Sequence, residues 1–128
     1  MAGHFDVVIV GAGLSGIGAA WHLQHEARDR TFVILEGRDA IGGTWDLFRY
    51  PGIRSDSDMH TFAYAFEPWT DEEVIAPADR IKAYLRHVVD KHGIGPRMRF
   101  GQQVESADWD GKAGLWRVCA QQTDGSSR

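Results

Sequence analysis

Gly11, Gly13 and Gly16 stand as G-x-G-x-x-G in "VVIVGAGLSGIG", and Glu36 lies twenty residues past the last of them. In a chain with fifteen glycines such a triplet is a weak signal alone, and its flanks make it informative. "FDVVIV" (5–10) is a short apolar, β-branched run that reads as a strand buried on both faces. "LSGIGAAWHLQHEA" (14–27) reads as a helix, and "TFVILE" (31–36) as a second strand that ends in an acid. Residues 5–36 therefore read as a β-α-β unit. The chemistry such a unit supports is the holding of a dinucleotide pyrophosphate. Gly11 allows the tight strand-to-helix turn, Gly13 lets backbone approach the phosphates, and Gly16 lets helix and strand pack closely. The helix N-terminus offers free N–H groups and the positive end of its dipole. Glu36 can accept hydrogen bonds from the adenosine ribose hydroxyls and would repel the extra 2′-phosphate of NADP. Arg38, two residues on, argues the other way, and the carboxylate is the stronger cue. Between FAD and NAD the fingerprint does not decide.

The second chemical stretch is "GGTWDLFRYPGIRSDSD" (42–58). It is too dense in turn formers for a helix or a strand and too rich in aromatics for an idle linker. A second Gly pair within seven residues of Glu36 fits a ligand longer than NAD, whose isoalloxazine extends past the first turn. Thr44 can offer a hydroxyl and an N–H to phosphate or ribitol, and Trp45 an apolar wall beside a flavin ring. Pro51-Gly52 reverses the chain and brings Asp56 back toward the same cavity. On the residues alone, a structural loop around a buried Trp stays open as an alternative.

The elements that must position these groups follow from pattern. Residues 37–78 read as turns, loops and short helices. In "PADRIKAYLRHVVDKHG", Ile81, Tyr84, Leu85, Val88 and Val89 recur on one helical face, between Pro77 and Gly93. "RMRF" (97–100) reads as a third parallel strand. "VESADWD" and "LWRVCAQ" flank "GKAG" as a hairpin, and "TDGSSR" (123–128) carries a further turn signal. The expected fold is α/β: a Rossmann-like βαβ unit with a parallel sheet plus a C-terminal β-hairpin. At 128 residues the chain is one domain at most. A net charge of −4 with no Lys/Arg cluster argues against a nucleic-acid partner. The lone Cys119 reads as an inert strand residue in a reducing compartment, and the apolar run at 7–20 is too short to span a bilayer, so the chain reads as cytoplasmic. His22, His25 and Glu26 lack a third metal ligand in reach and read as solvated or capping groups. His60 is a candidate for facing the cavity, and Asp71, Glu72 and Glu73 read as a solvated turn or helix start.

"VVIVGAGLSGIG", "ILEGRDAIGGTWDLFRYPGIRSDSDMHTFAYAF" and "WDGKAGLWRV" resemble the N-terminus of class B flavin-dependent monooxygenases, the group of Baeyer–Villiger and related flavin-containing monooxygenases. The resemblance covers the whole chain. It implies that Gly11, Gly13, Ser15 and Gly16 contact an FAD pyrophosphate and Glu36 its ribose. It implies that Gly43, Thr44, Trp45, Asp46 and Leu47 line the flavin side, and that Val104 meets the adenine through its backbone. Arg54, Ser55 and Asp56 would touch NADPH where it meets the flavin, with Asp56 catalytic through a pair with an Arg from a later part of the family's chain. In that family NADPH reduces FAD, and a C4a-peroxyflavin passes one oxygen of O2 to a ketone, sulfide or amine. The family's second G-x-G fingerprint, its F-x-G-x-x-x-H-x-x-x-W signature, its later Arg and its returning strand are not found here. The expectation is therefore an N-terminal part (1–128) of an FAD/NAD(P)-binding domain, without NADPH domain or C-terminal part. Such a chain needs the remaining monooxygenase chain as partner, does not turn over alone and binds FAD weakly in isolation. Another FAD- or NAD-dependent oxidoreductase with the same start, or a non-catalytic remnant, remain the alternatives.

Overall fold

The computed structural model describes residues 3–123. The last five residues, with most of the 123–128 turn signal, lie outside the described residues. Strand β1 (Val7–Val10), helix α1 (Leu14–Glu26) and strand β2 (Phe32–Leu35) form the expected β-α-β unit. β1 and β2 pair in parallel with Ile9 opposite Ile34, and β2 pairs in parallel with β3 (Met98–Arg99). β2 lies between the other two strands, which is why Phe32, Val33 and Ile34 are all buried. β1 departs from the expectation of burial on both faces: Ile9 is buried, but Val10 is 64% exposed. Only one edge of β1 is paired among the described residues, so its end has no neighbour to cover it.

Helix α4 (Ala78–Lys91) buries Ile81, Tyr84, Leu85, Val88 and Val89, the five positions read from its period. Pro77 is its N-cap, and Gly93 follows its end at φ +64°, the left-handed backbone that ends helices without a Cβ penalty. α1 and α4 pack on the sheet around a core that includes Ile17, Ile34, Ile81, Leu85, Val88 and Ile94. Between β2 and α4 two one-turn helices break the loop, α2 (Thr44–Leu47) and α3 (Met59–Phe62). The 42–58 stretch is thus not wholly irregular, because Thr44–Leu47 coils once where the chain leaves Gly43. Strands β4 (Gln102–Asp110) and β5 (Leu115–Gln122) form the expected antiparallel hairpin as a separate sheet, with Cys119 exposed on β5. The hairpin's base is fastened to the end of β2. Gln102 N–H donates to Glu36 O at 2.8 Å, and the Thr123 hydroxyl donates to Gly37 O at 3.1 Å. No helix among the described residues is long and apolar enough to cross a membrane.

Candidate functional site

Gly13 is the N-cap of α1, no side chain caps it, and no acid stands in the first turn. The first N–H groups of a 13-residue helix are therefore left to whatever approaches from outside. Gly16 serves the packing behind them, since a Cβ there would lie 1.9 Å from Gly11 O. Gly11 turns the chain at φ +101°. Ser15 is exposed on the same first turn.

Three segments meet at the peptides of Ala12. Its N–H donates to Glu36 Oε1 at 2.7 Å, and its carbonyl accepts from Gly42 N–H at 3.1 Å. Glu36 is only 7% exposed, and its Oε2 accepts from Arg38 N–H at 3.0 Å. Each carboxylate oxygen keeps a second lone pair for a ligand hydroxyl. Gly43, at φ +54°, then brings bare backbone against bare backbone: a Cβ on it would lie 3.2 Å from Gly13 Cα. The two glycine segments form one floor. A free helix N-terminus, a side-chain-free floor and a carboxylate at the end of β2 fit a dinucleotide.

Beyond Gly43 the loop residues divide. Thr44 and Leu47 are exposed, and Trp45 is half-buried with its ring 5.8 Å from that of Phe62. Asp46 turns inward and is 3% exposed. Its carboxylate pairs with Arg38 at 3.0 Å, Arg49 at 3.0 Å and Lys82 of α4 at 3.6 Å. Burial alone would push its carboxyl up; the Arg38 hydrogen bond and the charges of Arg49 and Lys82 outweigh that and hold it below the usual carboxylate range. The Asp46 side chain is thus committed to cations, and only its backbone is left to a ligand. This hub is not readable in sequence. Arg49 stands at the visible i+3 spacing, but Lys82 lies thirty-six residues away.

Arg54, Ser55 and Asp56 lie on a different support. Ser55 N–H donates to Ala76 O at 2.9 Å, the Ser55 hydroxyl accepts from Ala76 N–H at 3.1 Å, and Arg54 bridges Pro77. The Ser55 hydroxyl is therefore engaged and buried, while Arg54 and Asp56 are exposed. Val104 is half-buried near the hairpin base, one residue from Gln103, which packs against Gly37. His60 is exposed, in the helix that Asp58 caps through Thr61 N–H.

Two residues that sequence reasoning missed brace the first turn from behind. Tyr64 Oη donates to Leu14 O, and the ring lies over Gly18, where a Cβ would come within 2.9 Å of it. Tyr84 Oη accepts from Tyr64 N–H at 2.9 Å and donates to Glu67 O at 2.6 Å. Burial pushes the Tyr64 hydroxyl well above its ordinary pKa, so it stays a donor. Tyr84 was legible only as a core position of the α4 period, and Tyr64 only through the aromatic density after the loop. His22 pairs with Glu26 on the surface of α1 and His25 bonds Trp21 O, as expected of solvated or capping groups. The acidic run is less free than expected, since Asp71 and Glu73 both bind Arg80 of α4.

The family model of the NAD(P)-binding Rossmann-like domain matches residues 9–72, half of the chain. The chain belongs to that family. Among its Rossmann-like relatives, "FAD-containing monooxygenase EthA" of Mycobacterium tuberculosis is 51% identical over 92% of this chain and 24% of its own length. "Probable FAD-binding monooxygenase AlmA" of Acinetobacter baylyi is likewise 51% identical over 92% of this chain and 24% of its own. An oxidized steroid monooxygenase bound to NADP superposes at a TM-score of 0.85 and 33% identity, covering 94% of this chain and 24% of that one. Cyclohexanone monooxygenase from Rhodococcus sp. Phi1, bound to NADP+, superposes at 0.81 and 34% identity, over 91% and 23%. This Rossmann-like chain therefore has FAD-containing monooxygenases as homologues, and it spans about a quarter of the length of the curated relatives it matches.

Proposed function

We propose that this chain is the FAD-binding portion of an NADPH-dependent flavoprotein monooxygenase, an N-terminal part of an FAD/NAD(P)-binding domain. The observation that carries the reading is the clamp at Ala12. One short stretch joins the first glycine turn, the ribose-facing acid and a second glycine pair. A cofactor that continues past the first turn needs bare backbone in two places, and here both lie on one surface. The names of the relatives point the same way.

In this reading Gly11, Gly13, Ser15 and Gly16 hold the pyrophosphate through the turn and the helix N-terminus. Glu36 receives the adenosine ribose, and Val104 the adenine through its backbone. Gly43, Thr44, Trp45 and Leu47 border the flavin side, with Asp46 contributing backbone only. Trp45, packed on Phe62, helps to keep water away. When bound, the cofactor supplies hydride acceptance from NADPH and activation of O2 for transfer to a ketone, sulfide or amine. Arg54 and Asp56, exposed on their turn, would be the residues that meet the nicotinamide end. Asp56 acts there by holding a cation from the remainder of such a protein, where charge-assisted bonding is strong. In this reading turnover belongs to a longer monooxygenase chain, and the lone Cys119 supports a reducing, cytoplasmic setting.

The test is a pair of melting curves of the 128-residue chain, with FAD and with NAD. FAD raising the melting temperature supports the reading. NAD alone doing so overturns the cofactor assignment.

A further inference from the structure

Among the described residues, Arg38 is the cation whose position bears on which adenosine ribose the site accepts. Its backbone N–H is bonded to Glu36 Oε2 at 3.0 Å, so the residue starts at the ribose-facing carboxylate. A guanidinium at that place would ordinarily favour a 2′-phosphate. Its side chain runs elsewhere. Nη2 donates to Asp46 Oδ2 at 3.0 Å, while Nε is buried with no hydrogen-bond partner among the described residues. The fork is thus held by one arm, not by the paired donors that Arg uses for its best carboxylate contacts. Asp46 itself is shared, with Arg49 and Lys82 on its other oxygen.

We propose that the Asp46–Arg38 ion pair is a second specificity determinant at the adenosine end of the site, beside the Glu36 carboxylate. It withholds the Arg38 guanidinium from the ribose position beside Glu36, and so restricts the site to an adenosine ribose without a 2′-phosphate. This rests on the dinucleotide-binding reading above. Without the Asp46 charge, Arg49 and Lys82 repel Arg38, and Glu36 is the acid its backbone already touches. The guanidinium then moves toward the ribose position and becomes a phosphate ligand. Asp46 also packs beneath the second glycine pair through its Cβ, since a Cβ on Gly42 would lie 3.1 Å from it, a contact that Asp46→Asn retains.

The test compares the affinity of the chain for ADP and for adenosine 2′,5′-bisphosphate by titration calorimetry. Wild type is expected to favour ADP. Asp46→Asn should shift the ratio toward the 2′-phosphorylated probe by about tenfold, the effect of one added charge-assisted contact. Arg38→Gln alone should leave the wild-type preference in place, and Arg38→Gln/Asp46→Asn should restore it. If Asp46→Asn does not give a wild-type circular dichroism spectrum, Asp46→Asn/Lys82→Gln removes the carboxylate together with one of its cations and is scored in the same way. An unchanged ratio, or an equal loss for both probes, makes the pair structural only and overturns the inference. Binding of neither probe nor FAD by wild type overturns the dinucleotide reading, and this inference falls with it.

Discussion

Gly13 and Gly16 lack a side chain for different physical reasons, and one methyl group separates them. At Gly16 an added Cβ meets the Gly11 carbonyl at 1.9 Å, and backbone cannot swing aside. Gly16→Ala is therefore expected to destabilise the fold by about 1–3 kcal/mol or more, read as a lower melting temperature. At Gly13 the nearest atom to a Cβ is Gly43 Cα at 3.5 Å, an ordinary contact, and φ is −88°. Gly13→Ala should keep the melting temperature of the free chain and abolish the rise produced by FAD. If Gly13→Ala responds to FAD as wild type does, the pyrophosphate does not lie on that floor. Asp46 adds a pH dependence. Its carboxyl is held below the usual range in the folded chain, so its contribution is complete above the unfolded carboxylate value of about 4 and is lost as pH falls through the folded value. The stability gap between wild type and Asp46→Asn should close as the pH is lowered below about 4. A gap of equal size at pH 3 and pH 7 would contradict the ion-pair account.

At the scale of elements, α4 could be read from its 3.6-residue period because one continuous face is buried by one continuous core. The 37–78 stretch has no period to read. Its shape comes from bonds that span the chain, such as Tyr64 Oη to Leu14 O across fifty residues and Ser55 to Ala76 across twenty-one. Ser55 illustrates the consequence. The family resemblance implies contact with the nicotinamide cofactor, yet Ser55 is only 3% exposed and its hydroxyl accepts from Ala76 N–H. Ser55→Ala leaves that buried N–H without its acceptor and should lower stability by about 1–3 kcal/mol in urea unfolding. Normal stability in Ser55→Ala would free the hydroxyl for a ligand role.

At the scale of the molecule, the two sheets among the described residues share no strand, and apolar surface remains outside the core. Val10 ends β1 at 64% exposure, and Trp109 and Trp116 pair edge to face on the hairpin at 57% and 61%. Such patches promote association. Trp109→Ser/Trp116→Ser should reduce binding of a hydrophobic dye and self-association in sedimentation without lowering the melting temperature. A large loss of melting temperature would mean that the pair supports the hairpin instead of burdening it.

Local features were set by the chain itself. The β-α-β unit, the helix from Ala78, the hairpin and the fingerprint glycines are each specified by neighbours within a few residues, through burial pattern, turn geometry and helix ends. What tertiary structure alone decided is where side chains with several available partners go. Glu36 joins Ala12 to Arg38, Asp46 gathers cations from its own loop and from α4, and Ser55 turns to Ala76. A carboxylate or hydroxyl can be read in a sequence as a donor or acceptor. Its partner is chosen by burial, because a polar group taken out of water must find whichever complement the packed fold brings within about 3 Å.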